Sequence, residues 1–132
     1  MAASGYSWIF LNFACLAAIT LTSCHRAGNT AEISVQQEIT PLPAKAGPAI
    51  LLLTLTGADA KPITHASITL EANMTHPGMS PVFGDAKEVE PGRYQARLNF
   101  TMGGDWVVLT HIKLANGETV ERQMDVRGVL PN

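Results

Sequence analysis

From residue 33 onward the sequence predicts an all-β fold, a β-sandwich of about seven strands, and three observations lead there. Runs with apolar residues at every second position recur at intervals of about ten residues. Clusters rich in Gly, Pro, Asn and Asp separate them, as turns require. No stretch of useful length repeats apolar residues at i, i+3, i+4 and i+7, the spacing of an amphipathic helix.

The first strand is predicted from Ile33 to Ile39. It is closed by "PLPAKAGP", whose prolines cannot donate to a ladder and so suit an edge or a segment that changes sheets. "AILLLTLT", Ala49 to Thr56, is a strongly apolar second strand ended by the turn "GADAKP". In "HASITLEAN" the residues Ala66, Ile68, Leu70 and Ala72 share one face and Ser67, Thr69 and Glu71 the other, so the first set faces the core. "RYQARLNF" repeats the alternation through Tyr94, Ala96, Leu98 and Phe100. "DWVVLTHIKL" aligns Trp106, Val108, Thr110, Ile112 and Leu114, and places His111 on the opposite face with Val107 and Leu109. "ANGE" is the strongest hairpin signal, and "TVERQMDV" returns with Val120, Met124 and Val126 inward. The tail "GVLPN" reads as a terminal extension. There is no internal repeat, so residues 33–128 form one domain.

The front of the chain belongs to a different class. Tyr6 to Leu21 is a nearly charge-free apolar run of about 16 residues, at or below the roughly 17–25 of a membrane-crossing helix, and it ends in "LTSC". This is an export signal, residues 1–23, with an uncleaved signal anchor as the second reading. The Leu, two small residues and Cys24 resemble the lipobox of bacterial lipoproteins, although "MAASG" lacks the usual Lys or Arg. That resemblance implies a lipidated Cys24 at the mature N-terminus, a flexible tether over residues 24–32, and a protein held on the membrane by its acyl chains. His25 rather than Asp after the Cys implies the periplasmic side of the outer membrane in a double-membrane bacterium. The two cysteines, Cys15 and Cys24, both lie in this leader, so the domain is held by its core and not by disulfides.

The chemistry classes narrow quickly. A net charge of -2 and 15% charged residues favour neither nucleic acid nor an anionic membrane surface. No strained nucleophile turn, phosphate loop or dinucleotide fingerprint is present, so the chain is not expected to be an enzyme. His65, His76 and His111 have no zinc spacing. Sulfur is more informative: apart from Met1 the methionines are Met74, Met79, Met102 and Met124, and the first three lie in or beside "NMTHPGM" and "FTMGGDW". Thioethers are soft ligands that suit Cu(I), and imidazole accepts copper in either oxidation state. Met74, His76, Met79 and Met102 are therefore the candidate metal ligands. The competing reading is packing: Met74 and Met102 continue the inward alternation of their strands, and flexible Met fills irregular gaps well.

The stretch "NMTHPGMSPVFGDAKEVEPGRYQARLNFTMGGDWVVLTHIKLANGE" resembles the YtkA-like domain, which is related to FixH-like proteins. It shows a Met- and His-containing turn, an acidic stretch, "PGRY", a strand, M-x-G-x-W and an alternating strand. The resemblance implies an immunoglobulin-like sandwich, an exported or membrane-anchored protein, and an association with copper handling found in several members. The expected function is binding or delivery of Cu(I) in the cell envelope. The alternative is a metal-free module that holds an envelope protein partner.

Overall fold

The computed structural model describes residues 32–132. Seven strands follow one another in the described chain: β1 (Ser34–Thr40), β2 (Gly47–Thr56), β3 (Ser67–Met74), β4 (Val82–Glu90), β5 (Arg93–Phe100), β6 (Gly104–Lys113) and β7 (Thr119–Val129). All belong to one antiparallel sheet in the order β1-β2-β5-β4-β3-β6-β7, with β4 joining the β1-β2-β5 half to the β3-β6-β7 half. The sheet curls so that the inner faces of both halves bury a single core, which makes the all-β, immunoglobulin-like sandwich that the sequence predicts.

Alternation explains which side chains enter that core. Leu51, Leu53 and Leu55 of β2, Ile68, Leu70 and Ala72 of β3, Tyr94, Ala96, Leu98 and Phe100 of β5, and Trp106, Val108 and Ile112 of β6 are all buried. Full burial of one large apolar side chain contributes roughly 1.5–3 kcal/mol, so these residues dominate the stability of the domain. Phe100 and Trp106 pack ring against ring, their centroids 5.2 Å apart and tilted by 58°. Thr110 sits in the same inward row and is fully buried; its Oγ1 accepts from Nε2 of Gln37 on β1 at 3.4 Å.

The strand missing from the alternation analysis is β4. Its inward positions are Val82, Gly84, Ala86 and Glu88, whereas Phe83 and Val89 point outward and are 68% and 54% exposed. The apolar residues are thus split between both faces, and no period-2 pattern marks the segment. Pairing does: Ala72 lies opposite Val82 and Ala86 lies opposite Ala96. The other boundary difference is at the C-terminus. "GVLPN" is part of the fold, because β7 continues through Val129 and Leu130 bridges to Lys45 in parallel.

That last bridge follows from parity. Six successive antiparallel steps make β1 and β7 run the same way, so the sheet cannot close on itself with antiparallel ladders alone. Closure is limited to the Leu130 O, which accepts from Ala46 N at 2.7 Å, and the Leu130 N–H, which donates to Ala44 O at 2.9 Å. At the other end the Ile33 carbonyl accepts from Arg122 Nη2 at 3.2 Å.

The crossover from β2 to β3 is anchored by two polar side chains. The Tyr94 hydroxyl donates to Ile63 O at 2.8 Å and accepts from Ala66 N at 3.1 Å, and burial pushes its pKa above the ordinary value. Glu88 accepts from the backbone N–H groups of His65 and Gly92, at 3.0 and 3.1 Å. Those two donors, that of His65 first, hold its carboxyl below the usual range. His65 itself is exposed and precedes β3, with φ at 58°.

Candidate functional site: the methionine end

Strand direction gathers the candidate residues at one end of the sandwich. Met74, the last residue of β3, pairs with Trp106 near the start of β6, and Ala72 pairs with Val82 at the start of β4. The β3–β4 loop, which carries His76 and Met79, therefore emerges beside the β5–β6 loop that carries Met102. Both loops are polar and Gly- or Pro-bearing, as chain reversals need.

Asp105 ties the two loops together. Its carbonyl accepts from Thr75 N at 3.0 Å and from Thr75 Oγ1 at 3.2 Å, and its Oδ1 accepts from Gly128 N at 2.7 Å. One residue thus joins the end of β3, the start of β6 and the end of β7. The sequence analysis did not single it out; the signal available was an Asp placed directly before an alternating strand, in "MGGDW".

The four candidates have unequal surroundings. Met74 is half-buried and packs against the core, and its Cε lies over Gly104, where an added methyl would approach it to 2.5 Å. Gly104 also has φ at 130°, a backbone conformation that side-chain-bearing residues rarely adopt. Met102 is 42% exposed, because β5 ends at Phe100 and its inward alternation ends there too. Packing thus accounts for Met74 but not for Met102. The Met102 carbonyl accepts from Trp106 Nε1 at 3.1 Å, which fixes the loop backbone while its thioether faces solvent. His76 is exposed and Met79 half-buried.

Beside this loop is an open cavity of about 460 Å³, between the start of β2 and the C-terminal residues Pro131 and Asn132. Met102 lines it, whereas Met74, His76 and Met79 do not. The loop is held close to the C-terminus at Gly103, where a Cβ would lie 2.9 Å from both Val129 O and Pro131 N.

The described histidines are dispersed. His65 lies at the opposite end of the sandwich, and His111 lies on the outer face of β6, its Nδ1 2.8 Å from Glu121 Oε1 and its Nε2 4.0 Å from Glu71 Oε2. Among the described residues no group of three His, Cys, Asp or Glu side chains could hold a metal ion. The side chains the sequence singles out at the methionine end are three thioethers and one imidazole, and the Asp105 carboxylate lies between their two loops. Residues 1–23, Cys24 and the tether up to residue 31 lie outside the described residues. Among the described residues no helix is long and apolar enough to cross a membrane.

A family model described as YtkA-like matches residues 26–111. No curated protein matches the chain. Among solved structures, a DUF4426 family protein from Pseudomonas aeruginosa PAO1 is similar with a TM-score of 0.58 and 12% sequence identity, over 76% of this chain and 92% of that one. At that identity the likeness is one of fold alone.

Proposed function

The chain belongs to the YtkA-like family, and from that membership we propose that it is an exported, lipid-anchored domain of the cell envelope that binds or delivers Cu(I) at its methionine end. The observation that carries this reading is the pairing of Met74 with Trp106, which brings the loop of His76 and Met79 beside the loop of Met102. Met102 and His76 are the accessible donors, Met79 is half-buried between solvent and fold, and Met74 is the donor nearest the core. Thioethers do not titrate, so they remain ligands at any pH. Copper is the cargo here, and Cys24 is the attachment point to the membrane.

Anaerobic titration of the protein with Cu(I) against a competing chelator tests this. Tight binding that is lost in a His76→Ala, Met79→Ala double variant and weakened by Met102→Ala is the expected result. Micromolar or weaker binding in the parent, or tight binding that all three changes leave intact, overturns the site.

A second reading rests on a different observation. Phe83 and Val89 stand exposed on the outer face of β4, on either side of Asp85 and Lys87, and give that face an apolar side chain at each end of a charged centre. If copper binding fails, a metal-free module that holds an envelope partner through this face becomes the better account.

A further inference from the structure

We infer that Met102 is a site of oxidative modification, where a peroxide converts the thioether to the sulfoxide while the domain stays folded, and so removes a soft donor from the methionine end. The other methionines of the described residues are shielded: Met74 and Met124 are half-buried and pack against the core, and Met79 is half-buried in the β3–β4 loop. Met102 alone of these four is exposed. Its exposure is built in, because the loop is fixed through its backbone and not through this side chain. The Met102 carbonyl accepts from Trp106 Nε1 at 3.1 Å, and the next residue, Gly103, lies so close to the C-terminal segment that a Cβ there would be 2.9 Å from Val129 O and from Pro131 N. The side chain is thereby held at the wall of the open cavity of about 460 Å³.

The oxidant is hydrogen peroxide or an alkyl hydroperoxide. A lone pair of the Met102 sulfur attacks the outer peroxide oxygen, the O–O bond breaks, and that oxygen stays on sulfur while its proton passes to the other oxygen, which leaves as water or an alcohol. Sulfur gives up two electrons and the peroxide takes them. Asn99, Thr101 and Asn132 line the same cavity, so amide and hydroxyl donors stand near the place where the new S–O group and the departing oxygen need hydrogen bonds. The fold tolerates the product, because a polar sulfoxide at Met102 displaces nothing from the core. At Met74, whose Cε lies over Gly104, or at Met124, the same change sets a polar group against apolar packing. The consequence for metal rests on the Cu(I) reading above: a sulfoxide presents a hard oxygen where the thioether presented soft sulfur. Export, part of the same reading, brings the domain out of the reducing cytosol to where such oxidants act.

Titration of the purified, metal-free full chain with hydrogen peroxide, followed by peptide mass mapping, tests the site. Met102 is expected to gain oxygen several-fold faster than Met79, and faster still than Met74 and Met124, with the thermal midpoint unchanged while Met102 alone is modified. Met79, Met74 or Met124 reacting as fast as Met102, or a midpoint that falls with oxidation at Met102 alone, overturns the inference. Copper is read separately, by titrating the Met102 sulfoxide protein and the parent with Cu(I) against the same chelator. The sulfoxide protein should bind more weakly than the parent, whereas a Met102→Leu variant, which keeps the bulk and lacks the sulfur, should bind alike before and after the same peroxide treatment. An affinity that oxidation leaves unchanged in the parent, or lowers equally in Met102→Leu, overturns the inference. A parent that does not bind Cu(I) at all overturns the copper reading and the consequence drawn from it, and the order of oxidation in the peptide map still decides the site.

Discussion

Trp106 shows how much a single residue carries. It is 1% exposed, packs on Phe100 and donates its indole N–H to the Met102 carbonyl, so it both fills the core and braces the methionine end. Truncating such a residue to Ala costs about 3–5 kcal/mol, a large share of the roughly 5–15 kcal/mol that keeps a domain folded. For a domain of this size each kcal/mol lowers the thermal midpoint by about 4–8 °C. Trp106→Ala is therefore expected to lower the midpoint, followed by circular dichroism, by well over ten degrees. A shift of a degree or two would place the ring outside the core. The inward place of Trp106 was legible from alternation alone, whereas the exposure of Met102 was not. The same alternation points Met102 inward, but the strand ends two residues earlier, and where a strand ends depends on its partners.

At the level of elements, the crossover between β2 and β3 packs Ile63 and Ala66 against the core and is held by specific hydrogen bonds from Tyr94 and Glu88. Glu88 clamps it to the β4–β5 turn by accepting from His65 N and Gly92 N. Because those donors favour the carboxylate, the folded-state pKa lies below the unfolded one. The stabilisation is then complete above the unfolded carboxylate value, about 4.3, and is lost as pH falls through the lower folded value. Glu88→Gln should thus be less stable than the parent at pH 7, and the gap in thermal midpoint should close as the pH is taken below about 4. A gap that is constant from pH 7 to pH 3 would mean that the charge has no part in the clamp. β4 itself teaches a related lesson. Glu88 is an inward-facing position occupied for its hydrogen bonds, and Gly84 is a position where a Cβ would come 2.8 Å from Arg97 O, so neither could signal a strand by hydrophobicity.

For the whole molecule, the attachment proposed at Cys24 makes the domain a tethered body. Cys24→Ala should move the protein from the membrane fraction to the soluble fraction when cells are fractionated, and a variant that stays with the membrane would assign the anchoring to the apolar run of residues 6–21 instead. The sequence by itself determined the all-β class, the inward rows of β3, β5 and β6, the hairpin after Leu114 and the placing of three methionines in or beside two loops. These are local properties, set by the period-2 geometry of a strand and by the turn chemistry of Gly, Pro, Asn and Asp. Only the tertiary structure decided that the two methionine-bearing loops share an end, that Asp105 joins three strand termini there, that β4 bridges the two halves, and that β1 is left with a free edge. Each of these depends on which strand lies beside which, a choice made by long-range pairing and by the parity of seven antiparallel strands, and no window of neighbouring residues contains it.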